Sequence, residues 1–177
     1  MLKLFLEKIS SPFGELSIIT DAEDNLRAVE WDAFEERLHK LFTRHYGANK
    51  YELVEYTGKK PSTAAHALTA YFKGELNAIA SLKTQTGGTT FQKEVWAALR
   101  TIPIGKTLTY GDLAKQIGRP KAVRAVGLAN GANPIGIVVP CHRVIGANGK
   151  LTGYASGVDK KHWLLEHEGA IPASLPL

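Results

Sequence analysis

The sequence predicts an α/β N-terminal domain over residues 1–82 and a mainly α C-terminal domain over 91–177 that holds a winged helix-turn-helix-like motif. Three observations lead there. The opening residues alternate apolar and polar side chains and then change to helical spacing. A polar, glycine-bearing stretch, Lys83-Thr84-Gln85-Thr86-Gly87-Gly88-Thr89-Thr90, reads as a linker over 83–90. Beyond it, short apolar-periodic segments are separated by glycine-containing turns.

In the first domain, Leu2, Leu4 and Leu6 alternate along 2–9, the pattern of a strand with one buried face. Ser11-Pro12-Phe13-Gly14 turns the chain into a second strand over 15–20, and Asp24-Asn25 into a third, Leu26 to Trp31. Phe34, Leu38, Leu41 and Phe42 recur at helical spacing and predict an amphipathic helix over 33–46. Another helix runs from about Ser62 to Lys73 on Leu68, Tyr71 and Phe72, and Gly74 stops it. The acids Asp21, Asp24, Glu30 and Asp32 read as turn and surface residues. Nothing in their spacing fixes the mutual geometry that a metal-dependent nuclease needs.

The second domain opens on a helix capped by Thr89 or Thr90, with Phe91, Val95 and Leu99 on one face and Pro103 and Gly105 beyond its end. A second helix covers Tyr110 to Ile117, and Gly118 stops it. Pro120 starts a third, about Lys121 to Asn130. Two short helices around a tight turn make the helix-turn-helix pattern. In the third helix Ala122, Val126 and Ala129 face inward, while Arg124, Gly127 and Gly131 fall on the other side. Glycines there allow a close approach, either to a groove of DNA or to another helix. Further on, Asn148-Gly149 signals a hairpin turn. Asp159 caps a last helix through Trp163, Leu164 and Leu165, closed by Gly169. Glu168 lies in its final turn, where a carboxylate opposes the helix dipole and calls for a partner such as histidine, although by residue type alone it is more often an exposed surface glutamate. The tail 171–177 is expected to be loose.

Composition narrows the function. The chain is 44% hydrophobic and 22% charged, in the range of ordinary globular proteins. No apolar run is long enough to span a bilayer, and the opening residues are too charged for a signal peptide. One cysteine forms no intramolecular disulfide and suits a reducing, cytoplasmic setting. It also leaves no multi-cysteine zinc site, and the six histidines lack metal-like spacing, so no metal and no other cofactor is expected. The charge is uneven. Residues 1–88 hold 11 Lys/Arg against 12 Asp/Glu, and residues 89–177 hold 11 against 5. Between Asp112 and Asp159 there is no acid at all, while Lys115, Arg119, Lys121, Arg124, Arg143 and Lys150 lie in that interval. Such a field attracts a polyanion, although a solvated basic face has the same composition.

The cysteine lies in that interval too, within Asn133-Pro134-Ile135-Gly136-Ile137-Val138-Val139-Pro140-Cys141-His142-Arg143-Val144. A β-branched apolar run wants burial as a strand, and Pro140 ends ladder pairing where the thiol begins. His142 is the nearest base. As a sequence neighbour it points elsewhere, so a water or a backbone turn has to close the gap. By residue type alone, a single cysteine beside apolar residues is more often a small buried hydrophobe than a nucleophile.

The larger pattern tips that balance. The Pro-Cys-His-Arg-Val string preceded by Asn133-Pro134 resembles the active-site signature of the O6-alkylguanine-DNA alkyltransferases, in the form of a standalone bacterial-type member. Further matches in the same order are Phe91-Gln92, Val95-Trp96, Tyr110-Gly111, Arg124-Ala125-Val126-Gly127, Gly153-Tyr154 and Glu166-His167-Glu168-Gly169. The resemblance covers 89–170, and the first half matches mainly in length and layout. It implies a ribonuclease H-like three-layer first domain without catalytic acids, and a second domain whose helix-turn-helix binds double-stranded DNA bearing alkylated bases. It implies single-turnover transfer of an alkyl group, methyl above all, from O6-alkylguanine to Cys141, and leaves O4-alkylthymine open as a second substrate.

The resemblance also implies the roles. Cys141 accepts the alkyl group, His142 is the general base through a water, and Glu168 orients and charge-stabilises His142. Asn133 braces the turn, and Tyr110 donates to a ring nitrogen of the leaving guanine. The carbonyls of Cys141 and Val144 read the guanine amino group, the Ala155 N–H approaches O6, and Tyr154 walls the pocket. Arg124 takes the place of the flipped nucleotide, and its helix, with Ala125 and Gly127, sits in the minor groove. Two positions depart from the family pattern. Ala155 stands where some members have a hydroxyl, and Ser156 where glycine is common, which narrows the pocket. A monomer without membrane attachment is expected. The competing readings are a lesion-binding relative that transfers nothing, a helix-turn-helix regulator and a cysteine hydrolase. The first lacks an acceptor cysteine, the second needs no Asn-Cys-His-Glu set, and the third needs no basic, acid-free interval.

Overall fold

The structure, a computed structural model, describes residues 1–173, the Phe34 side chain excepted. The expected loose tail lies outside the described residues from 174 onward. The chain divides into two compact units, Met1–Gly88 and Thr89–Leu177. Among the described residues, no helix is long and apolar enough to cross a membrane.

The first unit is built on a four-stranded mixed sheet. Strands β1 (Leu2–Ser11), β2 (Gly14–Asp21) and β3 (Leu26–Trp31) form an antiparallel meander. Helix α1 (Glu35–Tyr46) then carries the chain over to β4 (Tyr51–Glu55), which pairs parallel with β1, so the order is β3-β2-β1-β4. This strand is absent from the sequence reading. It is short, lies at the sheet edge and is nowhere fully buried, so its apolar pattern is weak. Leu38 and Phe42 of α1 pack on Leu4, Ile19 and Ala28 of one sheet face. Leu16 and Ile18 point to the other face by strand alternation and are buried as well, and α2 (Thr63–Phe72) packs on β1. The helix expected over 33–46 begins with one 3-10 turn, Asp32–Phe34, before α1 proper.

Two of the acids read as turn or surface residues are buried. Asp21 accepts from Arg27 Nε at 2.7 Å, and Glu30 accepts from Arg37 Nη1 at 2.8 Å. Both sit on strands covered on both faces, where only a paired carboxylate is tolerated. Part of the expected linker also belongs to this unit. The Leu26 N–H donates to Lys83 O at 2.8 Å, and the Gln85 N–H to Leu26 O at 3.0 Å.

The second unit consists of short helices. Helix α3 (Thr90–Leu99) starts in a reciprocal capping box. Thr89 Oγ1 accepts from the Gln92 N–H at 3.1 Å, and the Gln92 amide oxygen accepts from the Thr89 N–H at 3.0 Å. Thr89→Ala is expected to lower stability by about 1 kcal/mol, read as an earlier urea midpoint at unchanged m-value. Strand β5 (Leu108–Thr109) leads into α4 (Tyr110–Gln116), capped by Thr109. A turn through Gly118 reaches α5 (Val123–Gly131), two residues later than the sequence reading placed it, because Ala122 still closes a turn onto Arg119 O. Trp96 Nε1 donates to Ala129 O at 2.9 Å and pins α3 to α5. After the cysteine, β6 (Val144–Ile145) pairs parallel with β5, and α6 (Val158–His167) follows. Asn148-Gly149 does form a turn, with Gly149 N–H to Gly146 O at 2.9 Å. No strand among the described residues completes a hairpin there, since β6 is already paired with β5.

Candidate active site

The β-branched run before the cysteine is buried but is not a strand. Its chain turns at Gly136–Val138, and Ile137 has a φ of 70°, an outlier for a β-branched residue. Asn133 makes this arrangement workable. Its Nδ2 donates to Val139 O at 2.8 Å and Ile135 O at 3.3 Å, and its Oδ1 accepts from the Ile135 N–H at 2.9 Å. One buried amide thus supplies the backbone partners that a neighbouring strand would otherwise provide.

Pro140 follows with φ −83° and ψ 64°, an inverse γ-turn in which the Cys141 N–H donates to Val139 O at 2.8 Å. Cys141–Arg143 then form one 3-10 turn. Successive side chains leave such a turn roughly 120° apart, so Cys141, His142 and Arg143 point into three different surroundings. Cys141 is 7% exposed and in no disulfide. Asn130 Nδ2 donates to its carbonyl at 3.4 Å.

His142 is fully buried, and its Nε2 lies 2.9 Å from Glu168 Oε1. Burial pulls its imidazole below the ordinary histidine value, which outweighs the attraction of Glu168. Glu168 is held the other way. Burial pushes its carboxyl up, but hydrogen bonds from Arg143 and His142 prevail and keep it well below the usual carboxylate range. An ionised carboxylate only accepts, so Nε2 carries the proton and Nδ1 the lone pair. Nδ1 is buried and has no hydrogen-bond partner among the described residues. The site therefore presents a neutral imidazole with a free basic nitrogen, oriented from behind by a carboxylate.

Arg143 completes the support. Its Nε and Nη2 hold the two oxygens of Glu168 at 2.9 and 2.8 Å, and its Nη1 donates to Ile102 O at 2.7 Å. The sequence reading placed Arg143 in the signature string without giving it a task. It also passed over Lys161, which is fully buried and donates to the carbonyls of Val144, Thr152 and Gly153. A signal was there. Lys161, Leu164, Leu165 and Glu168 lie at i, i+3, i+4 and i+7, so the lysine shares the apolar stripe of α6.

The other expected site residues are spread around this set. Val144 is buried in β6, Tyr154 is half-buried, Ala155 is exposed and Ser156 is buried, in a turn closed by Gly157 N–H to Tyr154 O at 2.9 Å. Tyr110 opens α4 half-buried, and Arg124 and Ala125 are exposed on α5, apart from the hydrogen-bonded core of the site. Gly127 is half-buried, and a Cβ there would lie 3.8 Å from the Tyr110 ring. That face of α5 thus looks toward Tyr110 at Gly127 and toward solvent at Arg124 and at Gly131.

Comparison with known proteins fits the geometry. Residues 4–86 match the ribonuclease-like domain of 6-O-methylguanine DNA methyltransferase, and residues 90–170 match its DNA binding domain. The methylated-DNA–protein-cysteine methyltransferase of Salmonella typhimurium is 55% identical over 169 residues, covering 96% of this chain and 98% of its own. That of Mycobacterium bovis is 47% identical over 172 residues, covering 96% and 95%. Among solved structures, Mycobacterium tuberculosis OGT in complex with DNA superposes with a TM-score of 0.73 at 40% identity, over 94% of this chain and 92% of that one. With both units matched and relatives of this identity spanning nearly the whole length, the chain belongs to the methylated-DNA–protein-cysteine methyltransferase family.

Proposed function

We propose that this protein repairs DNA by direct reversal, moving an alkyl group from O6-alkylguanine to Cys141 once per molecule. The observation that carries this reading is the buried His142–Glu168 pair, whose tautomer leaves Nδ1 basic on the turn that bears the only cysteine. His142 takes the thiol proton through a water. The thiolate attacks the alkyl carbon, an S–C bond forms and the C–O6 bond breaks, its electron pair passing to the guanine ring. Tyr110 donates to a ring nitrogen so that the base leaves neutral. The product is a thioether, and nothing at the site offers a route to cleave it.

The base has to leave the duplex to reach a buried thiol. Arg124, exposed on α5, fills the space in the stack, with Ala125 and Gly127 allowing that helix into the minor groove. In the pocket, the carbonyls of Cys141 and Val144 accept from the guanine amino group. Asn130 and Lys161 already donate to these two, and a carbonyl oxygen has a second lone pair for the purpose. The Ala155 N–H meets O6, Tyr154 walls the pocket, and Ser156 limits its size. O4-alkylthymine offers the same alkyl–oxygen bond and is included as a second substrate. The protein works as a monomer in the cytoplasm.

Intact-mass measurement after incubation with a duplex containing O6-methylguanine tests this. The expected result is a gain of one methyl, stopping at one per chain and mapping to Cys141. Tight binding of the duplex with no mass change would replace transfer by lesion binding or regulation.

A further inference from the structure

Asn130 lies in the last turn of α5, on the buried side with Val126 and Ala129. The two ends of its carboxamide are treated differently. Nδ2 donates to Cys141 O at 3.4 Å. Oδ1 is buried and has no hydrogen-bond partner among the described residues. The neighbour fixes which end is which. A carbonyl oxygen only accepts, so the amide nitrogen faces it and the amide oxygen is left over. A buried acceptor without a donor is costly, and one that a fold keeps calls for an explanation. Asn133 shows the contrast. Its Nδ2 reaches Val139 O and Ile135 O, and its Oδ1 takes the Ile135 N–H, so both of its ends serve the backbone. Asn130 spends only one end on the backbone and holds an acceptor in reserve beside the acceptor cysteine.

The substrate of the transfer reading carries one group that answers it. Alkylation at O6 removes the N1 hydrogen of guanine, so N1, N3, N7 and O6 can only accept. The exocyclic amino group is then the one N–H donor left on the base. We propose that Asn130 is a specificity-determining residue, its Oδ1 a third acceptor for that amino group beside the carbonyls of Cys141 and Val144. The inference rests on the transfer reading and adds a group that selects its substrate. Nδ2 and Oδ1 belong to one planar amide, so the bond to Cys141 O sets the spare oxygen next to the carbonyl assigned to the same amino group. Neighbouring acceptors can share one hydrogen in a three-centre bond. A site built around a buried acceptor works against a base that brings no donor, because the acceptor then stays unpaired.

Two duplexes separate base recognition from support of the fold. One carries O6-methylguanine. The other carries O6-methylhypoxanthine, which has the same methyl–oxygen bond and a hydrogen in place of the amino group. Single-turnover rates of methyl transfer from both are measured in the wild type and in Asn130→Leu, which keeps the bulk and loses both polar ends. The wild type is expected to prefer O6-methylguanine, and Asn130→Leu to lower the ratio of the two rates about tenfold. A disturbed turn slows both bases alike and cancels in the ratio. An unchanged ratio in Asn130→Leu overturns the proposal and assigns the oxygen to a buried water. A wild type that reacts with both bases at one rate overturns it without any variant. If Asn130→Leu does not fold, Asn130→Ala is read in the same way. A wild type that takes a methyl from neither duplex defeats the transfer reading instead, and the ratio of the Kd values for the two duplexes, in wild type and variant, then decides the role of Asn130.

Discussion

Cys141→Ala protein is expected to gain no mass from an O6-methylguanine duplex under conditions in which the wild type takes one methyl. The loss is complete because no second thiol exists to receive the group. Binding of the same duplex is expected to stay within a few-fold of wild type. The exposed face of α5, with Arg124 and Ala125, and the basic residues of the acid-free interval remain as they were. The sulfur lies inward at 7% exposure, so its removal leaves the docking surface alone. Gel-shift titration beside intact-mass analysis checks both halves. A Cys141→Ala protein that still acquires a methyl would move the acceptor elsewhere.

Arg143→Ala has the second large effect, and it falls on stability first. The guanidinium holds both oxygens of Glu168 and the Ile102 carbonyl in a buried setting. Removing it leaves the carboxylate with His142 and its desolvation uncompensated, which destabilises by about 3–5 kcal/mol. Denaturant unfolding of the two proteins measures this. The pH dependence should change as well. The folded-state carboxyl of Glu168 titrates below its unfolded value, so its contribution is whole above the unfolded value of about 4.3 and is lost as pH falls through the folded one. His142 acts in the same sense below about 6.5, since its neutral form is the one the fold favours. In Arg143→Ala the Glu168 contribution shrinks, so stability should vary less with pH below about 4.3 than in the wild type. Equal steepness in both proteins would show that Arg143 does not hold the carboxylate down.

The same residues mark how far the sequence could be read. Apolar spacing, the cap at Thr89 and glycine stops such as Gly118, in a left-handed turn, located the helices of the second unit because such signals are local. The reciprocal capping boxes of Thr89 with Gln92 and Thr109 with Asp112 are seen only in the structure. The strand expected before Cys141 failed for a non-local reason. A β-branched run asks only to be buried, and Asn133 met its backbone needs from within, which no periodicity records. Glu168 was correctly placed at the end of the last helix and in need of a partner, but the bidentate Arg143 was invisible because their contact spans 25 residues. Lys161 was overlooked for the opposite reason. Lysine is ordinarily a surface residue, and only its position on an apolar stripe sets this one apart. In the first unit, Asp21 and Glu30 read by type as surface acids, while their strands are buried on both faces.

The bond from Arg143 to Ile102 has a dynamic consequence. It joins the loop after α3 to the cysteine turn, and through Glu168 to the end of α6. Gly105, with a φ of 81°, seals the same junction, since a Cβ there would stand 3.2 Å from Glu168 O. A helix end normally frays in isolation, and its last amides exchange with solvent long before the rest. Here the last turn of α6 cannot unwind without also releasing the nucleophile turn and the loop at Ile102. Amide exchange at Glu168 and at Arg143 should therefore proceed at matched rates set by one shared opening event, and the site should open as a whole or stay closed.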